Sequence, residues 1–270
     1  MNRNSNWSYS KFQLYQSCPL AVKYESEFTD GHSELVSINS LIGILFHETI
    51  SSHILKWSKE EQSKEDDLIE TFISNLHIIW QKKNSRIIEI SNGFQVKDSE
   101  LKRIESSTIY LIKHFFDYIW PRFYSHMYLT HEHTYHFQVS RYQVVIRPDL
   151  VTKDPQGRIV VTDWKTGAYR EPEFNSFQTA IYGLWAHTFF SLDPVDIITQ
   201  TVNVKTGEIK IESYSEKKLV ETSNEILRSI EEINNALEGD LVKPRPERSK
   251  CKSCKFLKLC EHGKEAVTDA

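Results

Sequence analysis

A mixed α/β fold, with a core sheet, flanking helices and a helical lobe inserted between about residues 58 and 128, is what this chain predicts. Three observations carry it. The apolar rhythm is helical through the first half of the chain and switches to a period of two after Thr130. Strand pairs and amphipathic helices then alternate to the end, the order expected of helices packed on a mixed sheet. Finally, 270 residues with 39% hydrophobic and 26% charged content can bury one large core.

The elements follow in chain order. Ser8 or Ser10 caps a short helix presenting Phe12, Leu14 and Tyr15, and Pro19 ends it or starts the next, leaving Cys18 at a helix boundary. From Ile38 to Trp57 the residues Leu41, Ile42, Leu45, Phe46, Ile50, Ile54 and Leu55 recur at helical spacing, with Gly43 and His47 four apart on one side. Taken alone, His47 reads as a hydrogen-bonded core histidine. Glu60 to Glu70 is charge-rich, a solvated loop or helix start. Helical patterns cover Leu68 to Ile90 and Leu101 to Tyr128, and the aromatic run Phe115, Phe116, Tyr118 and Trp120 has the spacing of a buried face.

Tyr135, Phe137 and Val139 alternate with polar residues and lead into a hairpin over 145–167. Phe174 to Leu192 returns to helix, with Gln178 and Tyr182 one turn apart. Val195 to Val204 and Glu208 to Tyr214 form a strand pair turning at Lys205-Thr206-Gly207, and Lys217 to Glu238 is a further amphipathic helix.

The hairpin carries the chemistry. If Pro155-Gln156-Gly157 is its loop, with Gly157 in the left-handed position, Asp154 pairs with Arg158 and the register brings Asp149 opposite Asp163. Opposed residues share a face with Cβ atoms roughly 5 Å apart, and Lys165 projects from that face too. Two carboxylates that close repel unless one takes a proton or a cation lies between them. A divalent ion with oxygen ligands, magnesium or manganese, is the economical explanation, with the lysine beside an attacking water. The plain alternative is an exposed hairpin with unrelated charges.

Three of the four cysteines, Cys251, Cys254 and Cys260, crowd the C-terminus with His262 just beyond. No apolar run approaches a membrane span, and the polar start is no secretory signal, so a cytoplasmic location is expected and disulfides are not. Two metal sites remain open: zinc on Cys251, Cys254, Cys260 and His262, or an iron-sulfur cluster on the three cysteines plus the distant Cys18. The net charge of -4 gives no global attraction to nucleic acid. Lys243, Arg245, Arg248, Lys250 and Lys252, with Lys255, Lys258 and Lys264 beyond, form a local basic segment that either grips phosphates or is a solvated tail.

Several separated motifs together resemble one family. Cys18-Pro19 after Tyr9-Ser10, Gly43 and His47 on a helix, Asp149 at a strand end, Asp163-Trp164-Lys165-Thr166-Gly167, Gln178 with Tyr182, and Cys-x2-Cys-x5-Cys at the C-terminus are similar to the RecB and AddB-like iron-sulfur branch of the PD-(D/E)XK nucleases, which includes the CRISPR-adaptation exonucleases. The resemblance implies a restriction-endonuclease-like mixed central sheet in a single domain over 1–270, with the helical insertion at 58–128 and a cysteine module at 240–262 completed by Cys18. It implies that His47, Asp149, Asp163 and the Trp164 carbonyl ligate magnesium or manganese, that Lys165 positions the water, and that Gln178 and Tyr182 orient the site. It implies a 4Fe-4S cluster on Cys18, Cys251, Cys254 and Cys260.

The activity so implied is metal-dependent hydrolysis of DNA, by an exonuclease on single-stranded ends in repair, recombination or mobile-element defence. The sequence contains no Walker-type phosphate loop, so unwinding falls to a partner such as a helicase. The rival is a non-catalytic iron-sulfur subunit that docks a helicase or CRISPR-type complex. Arg147-Pro148-Asp149 departs from the family, which more often has glycine before a short apolar spacer.

Overall fold

The computed structural model describes residues 6–27, 36–83, 87–88, 98–167, 176–238 and 242–268. A two-residue strand, β1 (Trp7–Ser8), leads into α1 (Tyr9–Ser17), whose amide at Lys11 donates to the Ser8 hydroxyl at the cap. Cys18 closes that helix and Pro19 opens α2 (Pro19–Glu27), where a missing N–H costs nothing. After β2 (Val36–Ser37) comes α3 (Ile38–Trp57), matching the span of its apolar rhythm.

The helical lobe is shorter-membered than its rhythm predicts. Helix α4 (Glu65–Lys83) ends before Ile87 and Ile88, which form β3 (Ile87–Ile88) in parallel with β2, so the predicted helix does not run to Ile90. Residues 84–86 and 89–97 lie outside the described residues. Helix α5 (Asp98–His114) passes into one π-helical turn, Phe115–Ile119, and a 3-10 turn, Trp120–Phe123. Pro121 lacks the N–H that a continuing helix needs, and the chain emerges as β4 (Met127–Thr130) rather than as helix to Tyr128.

Strands β5 (Tyr135–Val139) and β6 (Tyr142–Ile146) pair antiparallel, and β1 adds in parallel to make a three-stranded sheet. The run from Val145 to Lys153 is therefore not one strand. It breaks at Arg147-Pro148-Asp149, because proline cannot donate to the ladder, and restarts as β7 (Leu150–Lys153) in the other sheet. Strand β8 (Ile159–Lys165) returns antiparallel to β7 with Leu150 against Thr162 and Lys153 against Ile159, and the Asp154 amide bonds the Arg158 carbonyl across a loop whose Gly157 has φ +88°. Continuing that register puts Asp149 across from Asp163, as the turn chemistry predicts.

Helix α6 (Ser176–Phe190) crosses over to β9 (Ile197–Asn203), parallel to β8, and β10 (Ile209–Ser213) turns back on it, completing a five-stranded sheet of order β10-β9-β8-β7-β4. Helices α7 (Glu216–Glu238), α8 (Arg248–Lys252) and α9 (Glu261–Thr268) finish the chain. Among the described residues, no helix is long and apolar enough to cross a membrane.

The five-stranded sheet divides two cores. Leu150, Trp164 and Val202 face the cluster built by α3, α4 and α5, whereas Val151, Val161 and Ile197 face α6, α7 and the small sheet. Alternation along β8 therefore sends Asp163 and Lys165 toward α6 while Trp164 anchors the strand against Phe115 and Phe123, its ring centroid 5.4 Å from each.

Helix α6 must lie close to the sheet to reach those side chains, and Gly183 permits it. A Cβ there would stand 2.5 Å from the ring of Tyr214, which cannot swing away because its hydroxyl is bonded to Thr199 and to the Thr179 carbonyl. Gly183→Ala is expected to lower unfolding free energy by about 1–3 kcal/mol through overpacking, measured by urea denaturation, despite alanine's better helix propensity.

Candidate active site

At the C-terminal end of β8, residues from the two larger sheets and from helices α1, α3 and α6 converge on a cleft of about 380 Å³. It is lined by His47, Asp149, Asp163, Trp164, Lys165, Gln178 and Tyr182, so the sequence-predicted site residues of the hairpin, α3 and α6 lie together. Gly43 brings α3 near, since a Cβ there would stand 3.2 Å from the Thr166 hydroxyl. His47 follows one turn later.

Each carboxylate has its own partners. Asp149 is 8% exposed, and its Oδ2 accepts from the Trp164 amide at 2.6 Å, which ties the two hairpin arms together. Asp163 is 4% exposed, with Lys165 Nζ at 2.8 Å from Oδ2 and Gln178 Nε2 donating to Oδ1 at 3.1 Å. Lys165 also donates to Gln178 Oε1 at 3.0 Å, and the amide of Gln178 donates to the Tyr182 hydroxyl at 3.2 Å. The Tyr182 hydroxyl reaches the Arg147 carbonyl at 3.4 Å. Burial pushes Asp163 up, Lys165 pulls it down, and Asp149 pushes it up again, leaving it raised overall. Burial beside these carboxylates raises the Tyr182 hydroxyl too, so that it remains a neutral donor.

One participant is absent from the sequence reading. Glu132 stands in the bend between β4 and β5 with φ +46°, a left-handed conformation for a non-glycine residue, held by its amide donating to the Pro148 carbonyl at 3.0 Å. Its Oε1 is 3.4 Å from His47 Nδ1, which is also 3.4 Å from Asp149 Oδ1. Arg147 clamps the other oxygen, with Nε 2.8 Å from Oε2. Arg147, just before the proline at which the chain changes sheets, thus holds a carboxylate in the site. The available signal was a glutamate between two histidines, His131-Glu132-His133, but that spacing is no metal motif and nothing local ties it to Asp149.

Glu132, His47 and Asp149 offer ligand atoms all within 4.8 Å of one another, a three-donor set that can hold a divalent cation. Without a cation, burial works against a charged His47, but Asp149 and Glu132 outweigh it and raise the imidazole to about 10.

A second cavity, of about 400 Å³, gathers the four cysteines. Cys18, Cys251, Cys254, Cys260 and His262 all line it, although Cys18 precedes the others by most of the chain. The Arg245 amide donates to Cys18 Sγ at 3.5 Å and the Gly263 amide to Cys260 Sγ at 3.3 Å. Of the predicted basic segment, Arg245 is bound to the Gln16 carbonyl at 2.9 Å and Lys250 pairs with Glu247 at 2.5 Å, while Lys243 and Arg248 are exposed and Lys252 is half-buried. Lys255 pairs with Glu25 and Lys264 with Glu261. Much of the segment's charge is therefore met internally.

A family model described as the PD-(D/E)XK nuclease superfamily matches residues 6–261. No curated protein matches the chain. Among solved structures it is similar to a candidate exonuclease from Eubacterium rectale, at 13% identity and a TM-score of 0.46, covering 98% of this chain and 88% of that one. It is also similar to SSO0001, at 14% identity and a TM-score of 0.34, covering 82% of this chain and 96% of that one.

A ligating imidazole must be neutral, so a cation entering near neutral pH displaces the proton that His47 holds. Manganese affinity, read by isothermal titration, is expected to rise up to about tenfold per pH unit between roughly pH 6 and pH 9, one proton being released per ion. In His47→Ala the slope should vanish along with most of the affinity.

Proposed function

This chain belongs to the PD-(D/E)XK nuclease superfamily, and on that premise we propose that it is a DNA exonuclease of the iron-sulfur, RecB and AddB-like branch, acting on single-stranded ends with magnesium or manganese. Nucleases of this superfamily use divalent metals. The observation that carries the reading is the convergence of Asp149, Asp163 and Lys165 on one open cleft with His47 and Glu132 facing them. Two buried carboxylates side by side are costly in a structural role and useful in a metal site.

His47, Glu132 and Asp149 would hold the cation, with Asp163 and the Trp164 carbonyl completing its shell. When bound, the cation polarises the scissile phosphate and stabilises its developing charge. The chain's own groups do the rest. Lys165 Nζ is fixed between Asp163 and Gln178, and in this reading it positions the attacking water. Gln178 and Tyr182 hold that lysine, and Arg147 holds Glu132.

The cysteine cavity is proposed to take a 4Fe-4S cluster on Cys18, Cys251, Cys254 and Cys260. Amide donors aimed at sulfur suit such a cluster. We assign the protein to repair, recombination or mobile-element defence in the cytoplasm, with a partner helicase supplying single strands and Lys243, Arg248 and Lys252 available to phosphates.

Lys165→Ala and Asp163→Ala should each lower cleavage of labelled single-stranded DNA in manganese by roughly a thousandfold or more without unfolding the protein. Wild-type rates in either variant would sink the assignment. For the cluster, anaerobically purified protein should be brown with about four irons per chain. Cys18→Ala should bleach it as fully as Cys254→Ala, and His262→Ala should not; one zinc per chain, lost in His262→Ala, is the contrary result.

A further inference from the structure

The buried-face reading of the aromatic run holds for Phe115 and Trp120 but not for Tyr118. Tyr110 is 52% exposed and Tyr118 61% exposed, and between them His114 makes a ladder: ring centroids 5.9 Å apart at 29° for Tyr110 and His114, and 4.8 Å apart at 35° for His114 and Tyr118. The π-helical turn at Phe115–Ile119 aligns it. Four residues of α-helix overshoot a full turn by about 40°, and the same step through the wider π turn falls short by roughly 30°, so Tyr118 returns over the line of Tyr110. Single π turns occur often at functional sites.

The ladder lies at the catalytic end of the main sheet. Asn203 is the register partner of Lys165, and the Val204 amide donates to the Lys165 carbonyl at 2.8 Å. The turn that follows is fixed by the Asn203 side chain accepting from the Lys205 and Thr206 amides. Gly207, at φ +72°, packs on His114, where a Cβ would stand 3.3 Å from the ring. One strand and one turn therefore separate the lysine of the candidate site from the exposed rings.

Resting on the nuclease reading, we propose that Tyr110, His114 and Tyr118 form a stacking platform for the bases of a single-stranded nucleic acid whose end lies in the cleft. Tyr110 and Tyr118, the exposed rings at the two ends of the ladder, can each take a base on an outer π-face irrespective of sequence, while the half-buried His114 fills the space between them. Charge agrees with stacking rather than phosphate capture. Lys113 and Lys205 border the patch, but Asp117 and Glu208 offset them, and Lys113 lies 3.9 Å from Glu65. A duplex hides its base faces, so the platform serves single strands alone.

The test is binding of a fluorescein-labelled oligothymidine of about 20 nucleotides, read by anisotropy in EDTA so that no cleavage occurs. Tyr118→Ala should weaken binding roughly tenfold, and Tyr110→Ala with Tyr118→Ala further, equally at low and high salt. Tyr118→Phe should stay within about twofold of wild type, and blunt duplex affinity should not change. A double variant that binds the single strand as wild type does, or a phenylalanine variant as weak as the alanine, overturns the platform. Photo-crosslinking of a 5-iododeoxyuridine oligonucleotide to the wild type covers a variant that fails to fold: adducts on Tyr110 or Tyr118 support the proposal, and adducts confined elsewhere overturn it. Manganese-dependent cleavage by the wild type is measured separately. Cleavage with unaltered variant binding rejects the platform alone, whereas a wild type that neither cleaves nor binds rejects both readings.

Discussion

The hydrogen bond from the Trp164 amide to Asp149 Oδ2, 2.6 Å long and buried, is the contact on which the rest of the site depends. It joins the start of β7 to the end of β8 beyond their last ladder pair, Leu150 with Thr162, so the hairpin register is carried into the cleft by a side chain rather than by backbone. It leaves Asp149 Oδ1 free to face His47, while Trp164 is pinned from behind by Phe115 and Phe123. A one-residue slip of the hairpin would turn Asp163 and Lys165 to the opposite face.

Buried charge explains why so many elements meet there. A carboxylate stripped of water needs donors, and no one element supplies enough of them. Asp163 takes its donors from β8 itself and from α6, and Asp149 takes its from the β8 backbone and α3. Glu132 is supported by Arg147, which leaves β6 just before the chain changes sheets. The break at Arg147-Pro148-Asp149 is thus where two sheets are sewn together: the Arg147 carbonyl receives Tyr182, the Pro148 carbonyl receives Glu132, and Asp149 enters the cleft.

Local chemistry was legible in the sequence where one segment contained the whole cause. Pro155-Gln156-Gly157 dictates a register that Leu150 and Thr162 obey, helical spacing bounds α3, and i,i+4 spacing puts Gln178 beneath Tyr182. What could not be read was set by partners remote in sequence. Glu132 gains meaning only from His47, 85 residues away, and the change of sheet at Pro148 requires knowing that β5 and β1 claim β6. Helical periodicity likewise continues through Phe115 to Trp120, although one extra residue in the turn rotates Tyr118 out to solvent.

The two chain ends pose the same question of long-range cause. Arg245 binds the Gln16 carbonyl and lies over Tyr15, Lys255 pairs with Glu25, and Phe256 packs on Tyr24 at 5.8 Å. Closing a loop of more than two hundred residues costs several kcal/mol of chain entropy by a logarithmic law, and exposed ion pairs of this type return at most about 1 kcal/mol each. Phe256, 1% exposed, contributes on the order of 2 kcal/mol by burial. Polar contacts alone therefore leave little surplus for clasping the termini. Apolar burial supplies the rest: Trp7, Tyr9 and Val22 are buried in the core shared with α6 and α7, and Phe177 packs edge-on against Trp7, Tyr9 and Phe12, which seats α1 at the catalytic end of the sheet with Tyr9 and Ser10 lining the cleft.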